Sequence, residues 1–127
     1  MLASLYNPKV QRGGTWAIGI SARDANNSST DFSVYDSMRI QLRPAWVGKP
    51  GSIKNPPLLS LSTATGEIVV DTTTINITLS AAVTAGLTFD SAKYELEMIK
   101  DAIEGESPEI VDKLLYGTMQ VTGEIVV

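Results

Sequence analysis

Alternation of apolar and polar residues in several short segments is the feature that most constrains the fold of this chain. In residues 31–44, DFSVYDSMRIQLRP, every second position is apolar apart from one, and these positions are Phe32, Val34, Met38, Ile40 and Leu42. A period of two residues is typical of a β-strand with one buried face. Asp36 falls on the apolar face, which predicts a break or bulge there.

The same pattern recurs along the chain and predicts further strands in TWAIGIS, LLSLST, GEIVVD, TTTINITLS, KYELEMIK and VDKLLYGTMQVTGEIVV. The last segment is one long strand or two short ones, with Gly117 as a bend. Residues 80–87, SAAVTAGL, predict a single short helix or turn that begins at the N-cap Ser80 and ends at Gly86. We therefore predict an all-β fold, an immunoglobulin-like antiparallel β-sandwich of seven to nine short strands with at most one short helix.

The length of 127 residues suits one domain. Residues 15–127 are predicted to form this single sandwich, whereas residues 1–14, MLASLYNPKVQRGG, lack strand periodicity and are predicted to be an N-terminal arm. Such an arm packs on a neighbouring subunit or folds back on its own domain, and the sequence leaves both open.

The hexapeptide TGEIVV occurs twice, at residues 65–70 and 122–127. A duplicated unit would also repeat its flanks, but LSLSTA precedes the first copy and YGTMQV the second. Glycine in a turn followed by β-branched residues is a simple way to begin a strand. The two copies are therefore interpreted as convergent.

The chain contains no cysteine and no histidine. Without cysteine, the chain cannot form disulfides or use a thiolate in catalysis. Without histidine, it lacks the residue that most often serves as general base and as zinc ligand. No cofactor or metal is expected. Glu95 and Glu97 share a strand face and are the remaining acid/base pair, which leaves a hydrolase as an alternative. We interpret them instead as a solvent-facing row of charge.

The apolar stretches are only a few residues long, so no membrane span is predicted. The N-terminus lacks the pattern of a secretory signal, which predicts synthesis and folding in the cytoplasm. Nucleic-acid binding is not expected, because the isoelectric point is near 4.7 and no basic cluster occurs.

The net charge of −4 is unevenly divided along the chain. Residues 1–64 contain seven Lys/Arg and three Asp/Glu. Residues 65–127 contain three Lys/Arg and eleven Asp/Glu. The division indicates either an ordinary solvated surface or a subunit whose basic face meets the acidic face of a neighbour, which suits head-to-tail self-assembly.

Several of these segments, in this order, resemble a family of small accessory virion proteins of tailed bacteriophages and prophages. The segments that carry the resemblance are TWAIGIS, DSMRIQLRP, TGEIVV, INITLSAAVTAGL, KYELEMI and VDKLLYGTMQVTGEIV. They cover most of the chain from Thr15 onward, but the basic or threonine-rich tail of the family pattern is missing.

The resemblance implies a non-enzymatic structural protein of the virion, made in the host cytoplasm. Its expected place is the tail, neck or baseplate, in many copies and with other virion proteins as partners; decoration of the capsid surface is the alternative. We predict assembly contacts in residues 1–12, 48–57 and 101–112, with a further candidate at Trp46. The candidate contact residues are Leu5, Tyr6, Arg12, Trp46, Lys49, Lys54, Glu104, Glu106 and Glu109.

A carbohydrate-binding module is a second alternative, because exposed aromatic rings stack on sugars. Trp46 and Tyr35 are its candidate residues, with a glycan as the ligand.

Overall fold

The computed structural model describes residues 4–23, 26–44 and 58–123. These residues form an all-β sandwich of nine strands in two sheets, which confirms the predicted fold class. The strands are β1 (Ser4–Leu5), β2 (Lys9–Gln11), β3 (Trp16–Ile20), β4 (Ser37–Pro44), β5 (Leu59–Ser62), β6 (Ile68–Asp71), β7 (Thr74–Leu79), β8 (Ser91–Lys100) and β9 (Ile110–Thr122). In this part of the chain no helix is long and apolar enough to cross a membrane.

The larger sheet has six strands in the order β1-β9-β8-β4-β5, with β2 also paired to β9. The smaller sheet has three strands in the order β3-β7-β6. All pairs are antiparallel except those of β1 and β2, which run parallel to β9. Consequently β5, β6 and β3 each lie at an edge of a sheet.

The period of two residues decides which side chains enter the core between the sheets. In β8, Tyr94, Leu96 and Met98 are buried, whereas Lys93 and Glu95 point to solvent. Across the sandwich, Ile75, Ile77 and Leu79 of β7 are also fully buried. Removal of this apolar surface from water is the main force that holds the two sheets together.

The prediction of a strand from Phe32 was wrong. Residues Phe32–Val34 form a 3₁₀ turn, and β4 begins only at Ser37, directly after the predicted break at Asp36. Asp31 caps the turn, since its Oδ1 accepts a hydrogen bond of 2.9 Å from the Ser33 amide. The turn nevertheless buries the Phe32 ring completely, so the apolar pattern reflects burial here without reflecting a strand.

The predicted short helix is present as α1, Ala81–Ala85. The Ser80 side chain accepts a hydrogen bond from the Val83 amide, and Gly86 ends the helix, as expected. The loop after the helix then leads to β8.

Of the second TGEIVV copy, only Thr122 and Gly123 lie within the described residues. Gly66 lies in the turn before β6, and Gly123 follows the end of β9. Both adopt positive φ angles, of 91° and 97°, which other residues rarely adopt. The predicted final strand residues, Ile125 to Val127, lie outside the described residues.

The described part of the N-terminal segment folds back on its own domain. Ser4 and Leu5 pair with Leu115 and Tyr116, and β2 continues along Gln120 to Thr122. β9 is one long strand, and Gly117 serves a close approach to the backbone of Tyr6 in place of the predicted bend. Residues 4–5 and 9–11 are thus part of the larger sheet.

Candidate interaction surface

The acidic segment between β8 and β9 forms a hairpin tip at one end of the sandwich. The ladder continues to the pair Lys100–Ile110, and residues 101–109 close the connection. Within it, the Ile103 amide donates to the Ser107 carbonyl at 2.8 Å, and the Ser107 amide donates back at 3.0 Å. The acidic segment is therefore an ordered turn that extends beyond the strand ladder.

Apolar and acidic side chains are interspersed on this hairpin. Ile103 is 54% exposed, and Ile110 and Val111 beside it are also exposed. Glu104, Glu106 and Glu109 are all exposed around them. Exposed apolar side chains inside a charged border are typical of protein interaction surfaces.

The residues before β4 fix the base of the hairpin. The Asp36 amide donates to the Ile99 carbonyl at 2.8 Å, and Asp36 Oδ2 accepts from the Asp101 amide at 2.7 Å. The Tyr35 hydroxyl donates to Asp112 Oδ2 at 2.7 Å. These bonds tie the hairpin to the start of β4 and limit its movement.

Tyr35 is the described member of the predicted carbohydrate-stacking pair. The Lys100 ammonium lies 5.2 Å from the centroid of its ring, so this face already has a cationic partner. Burial, and then the hydrogen bond and the negative charge of Asp112, raise the pKa of Tyr35 to about 12. The other member, Trp46, lies outside the described residues.

An open groove of about 410 Å³ lies next to the hairpin base. Its lining comes from the 3₁₀ turn, the start of β4, the β5–β6 connection and β6, namely Ser33, Tyr35, Asp36, Ser37, Met38, Thr63, Gly66, Ile68, Val69 and Val70. Tyr35 and Asp36 belong both to the groove and to the contacts that hold the hairpin. The groove and the hairpin therefore form one continuous surface.

One wall of the groove is the edge strand β6. The Thr78 amide donates to the Glu67 carbonyl at 2.9 Å, and this bond sets the phase of the ladder between β6 and β7. In an antiparallel pair, every second residue directs its backbone amide and carbonyl toward the partner strand. The backbone amides and carbonyls of Val69 and Asp71 therefore point toward β7. The backbone amides and carbonyls of Ile68 and Val70 then point away from β7, along the groove.

Charge is separated along the strand axis of the sandwich. We call the end with the hairpin tip the hairpin end, and its acidic side chains are Asp31, Asp36, Asp71, Asp101, Glu104, Glu106, Glu109 and Asp112. Three basic residues lie near this end, namely Arg23, Lys100 and Lys113. The net charge of the hairpin end is therefore strongly negative.

The opposite end, which we call the loop end, has several basic residues on its described strands, with Asp90 just before β8 as an acidic neighbour. β4 and β5 arrive there at Pro44 and Leu58, so the segment 45–57 with Lys49 and Lys54 starts and finishes at this end. Lys9, Arg43 and Lys93 lie on strand residues near the same end. Among the described residues, charge is thus separated between the two ends of the domain.

The described contact residues that were predicted from the sequence do not form one patch on the surface. Leu5 and Tyr6 are exposed on the outer strand β1 and just after it, 60% and 38% respectively. Glu104, Glu106 and Glu109 lie on the hairpin, far from these residues. Trp46, Lys49 and Lys54 lie outside the described residues.

Arg12 is buried within its own domain. Its guanidinium donates hydrogen bonds to the carbonyls of Leu87, Phe89 and Gly123 and to Asp90 Oδ1. The side chain is 3% exposed. All these partners are in the same chain, so Arg12 holds β2, the loop before β8 and the end of β9 together, and we leave it out of the contact surface proposed below.

Glu95 and Glu97 lie on the open outer face of the larger sheet. Glu97 Oε1 accepts from Arg39 Nε at 2.9 Å, and Glu95 Oε2 pairs with Lys113 Nζ at 2.7 Å. Neither glutamate lines the groove. The hydrogen bond and charge of Glu95 raise the pKa of Lys113 above its usual value. The arrangement is a cross-strand network of charges on a solvated sheet face.

The groove was not predicted from the sequence. The apolar pattern of residues 67–71 indicates a strand, but it does not say that this strand lies at an edge. The groove also depends on the turn after β5, where the Thr63 amide donates to the Met38 carbonyl at 3.1 Å and the chain then leaves β4.

A scan against models of known protein families found no match, and neither did a search of curated proteins.

Proposed function

We propose that this protein is a non-enzymatic structural component of a tailed-phage virion, assembled in multiple copies in the tail, neck or baseplate. The observation that carries the proposal is the separation of charge between the hairpin end and the loop end. The order of sequence motifs from Thr15 onward, which resembles accessory virion proteins, also supports it.

Opposite charges at the two ends favour contacts between unlike surfaces of identical subunits. Such head-to-tail contacts produce rings when the rotation closes and filaments when it does not. Complementary potentials also speed encounter and align the partners. A repeating part of a virus particle needs these properties, whereas a monomeric binding module does not.

The contacts we propose are the hairpin at one end and the lysines of segment 45–57 at the other. Glu104, Glu106 and Glu109 supply the acidic side chains, and Lys49 and Lys54 supply the basic ones. Leu5 and Tyr6 lie on the exposed side of the sheet edge and are proposed as a separate contact with another virion protein.

The test uses particles purified from a lysate of a host that carries the gene. We expect peptides of this protein in the particle fraction by mass spectrometry, at a copy number well above one per particle. Gold-labelled antibodies should mark the tail, neck or baseplate in electron micrographs. Label over the capsid surface would replace this assignment with capsid decoration, and absence from the particles would overturn the proposal.

A further inference from the structure

The outer face of the larger sheet carries a basic surface in the half that lies toward the loop end. We propose that this surface binds the acidic hairpin, residues 101–109, of a neighbouring copy. The inference rests on the proposed multi-copy assembly, and it identifies the residues of the larger sheet that receive the hairpin.

The register of the strands brings two lysines together on this face. Lys93 of β8 lies opposite Thr118 of β9. Lys9 of β2 lies opposite Gln120 of β9. Aligned side chains of paired strands point to the same face, and both lysines are exposed. Tyr116, two residues before Thr118, points to this face as well and is 44% exposed. We call these five residues the outer basic surface.

The lysines of the outer basic surface lack acidic partners. Neither of them forms an ion pair with another described residue. Two acidic residues lie close to Lys93 along the chain, and both already have cationic partners. Glu95 pairs with Lys113 at 2.7 Å, and Asp90 pairs at 3.0 Å with the buried guanidinium that follows β2. Arg43 lies directly opposite Lys93, so positive charge continues onto β4.

The hairpin has the complementary chemistry. Glu104, Glu106 and Glu109 are exposed, and none of them forms an ion pair with another described residue. Ile103 on the same hairpin is 54% exposed and provides an apolar side chain for the Tyr116 ring. Apolar contact within a charged border, with opposite charges on the two partners, is typical of specific protein interfaces.

The hairpin is held in place before it binds. Two backbone hydrogen bonds between Ile103 and Ser107 close its tip. The Asp101 amide donates to Asp36 Oδ2 and fixes its base. An element that is already ordered loses little conformational entropy on binding, so even a small contact of this hairpin is favourable.

The distance along β8 shows that the contact joins two copies. Lys93 and Lys100 lie seven residues apart on this continuous strand, which corresponds to roughly 23 Å at the usual rise per residue. The hairpin begins after Lys100 and extends beyond the strand ladder, away from Lys93. It therefore cannot reach the outer basic surface of its own chain. Each copy offers its hairpin to one neighbour and its outer basic surface to another, which is a head-to-tail contact.

Analytical ultracentrifugation of the purified chain tests the contact. We expect the average mass to rise with protein concentration and to fall when salt is added, because salt screens the charges. The variant Lys9→Gln/Lys93→Gln removes both positive charges and should weaken self-association by at least about tenfold. If this variant associates like the unchanged protein, or if the unchanged protein stays monomeric, the inference is wrong.

Asn76→Glu/Thr78→Glu is the matched control. It changes the net charge by the same amount, but at exposed positions on the outer face of the smaller sheet, on the other side of the sandwich. This control should leave self-association nearly unchanged, and an equal loss in both variants would contradict the proposed contact. Circular dichroism of all variants checks that each retains the fold.

An exchange of charges provides a stricter test. Lys9→Glu/Lys93→Glu makes the outer basic surface acidic, and Glu104→Lys/Glu106→Lys/Glu109→Lys makes the hairpin basic, so neither variant should self-associate. A 1:1 mixture brings opposite charges together at both kinds of contact and should associate like the unchanged protein. A mixture that stays monomeric would overturn the proposed contact.

The particle experiment is independent of these measurements. Presence of the protein in particles together with a failed exchange of charges removes this contact alone. A successful exchange of charges together with absence from particles removes the virion role alone.

Discussion

The backbone carbonyl of Tyr6 lies directly against Gly117 of β9. It occupies the space that a Cβ atom on Gly117 would need. The same carbonyl accepts a hydrogen bond of 2.6 Å from the buried Tyr94 hydroxyl. Tyr6 also donates its amide to the Tyr116 carbonyl at 2.9 Å. The described N-terminal segment is therefore attached to the larger sheet at a point where β9 has no side chain.

Gly117→Ala tests this attachment. The added methyl group would overlap the Tyr6 carbonyl, so β1 must move or the strand must distort, and we expect a loss of about 1–3 kcal/mol in the free energy of unfolding. Urea denaturation measures this loss, and hydrogen exchange should show faster exchange of the Tyr6 amide. Gly14→Ala is the control, because a Cβ there meets its nearest neighbour at an ordinary 3.5 Å. Equal stability of the Gly117 and Gly14 variants would contradict the prediction.

The stability of the protein should fall at high pH. Burial raises the pKa of the Tyr94 hydroxyl to about 12, above its usual value of 10.0. Because the neutral form is favoured in the folded state, its contribution is complete below about pH 10 and is lost as the pH rises through 12. Thermal unfolding between pH 8 and 12 should show this decline.

Tyr94→Phe should make the decline with pH shallower and lower stability at neutral pH, because the bond to Tyr6 is removed as well. Tyr116→Phe serves as the comparison, since this side chain is 44% exposed, and it should keep the original pH profile. A Tyr94→Phe profile parallel to that of the unchanged protein would refute the assignment.

Arg12 should contribute far more to stability than its ion pair suggests. The Asp90 side chain is 90% exposed, so the charge pair itself contributes less than about 1 kcal/mol. The carbonyls of Leu87, Phe89 and Gly123 would lose a charged donor in Arg12→Met, with an expected loss of about 2–4 kcal/mol. Asp90→Asn should change stability only slightly. Similar losses for both variants in urea denaturation would show that the ion pair dominates.

The pair Arg39 and Glu97 should couple weakly across the outer sheet face. The Arg39 side chain is 45% exposed, and the pair lies on an open surface where water screens the charges. A double-mutant cycle with Arg39→Ala and Glu97→Ala should give a coupling free energy below about 1 kcal/mol. The coupling should shrink further in 1 M salt. A coupling of several kcal/mol that is insensitive to salt would contradict this description.

The sequence predicted those features that depend on neighbouring residues. The alternation of apolar and polar residues in β8 predicted its buried and exposed faces. Ser80 and Gly86 predicted where helix α1 begins and ends. The 3₁₀ turn at Phe32 was missed because Phe32 and Val34 fit the strand pattern, and only the cap by Asp31 distinguishes the turn.

Features that depend on distant residues were not predicted. β1 and β2 are too short to show a period, and their pairing with β9 consists of main-chain contacts that no side-chain pattern records. The burial of Arg12 has the same origin, because its acceptors Leu87 and Gly123 are 75 and 111 residues away. The edge position of β6 follows from the order of strands in the sheet.

The pairing of β1 with β9 also determines when the sheet can be completed during synthesis. Ser4 pairs with Leu115, so the first strand emerges from the ribosome long before its partner exists. Until then the nascent chain exposes the apolar surface that β9 will cover, and bringing such distant residues together is slow. Completion of the larger sheet therefore waits until β9 has been made, and β1 and β2 take their places in the sheet only after that.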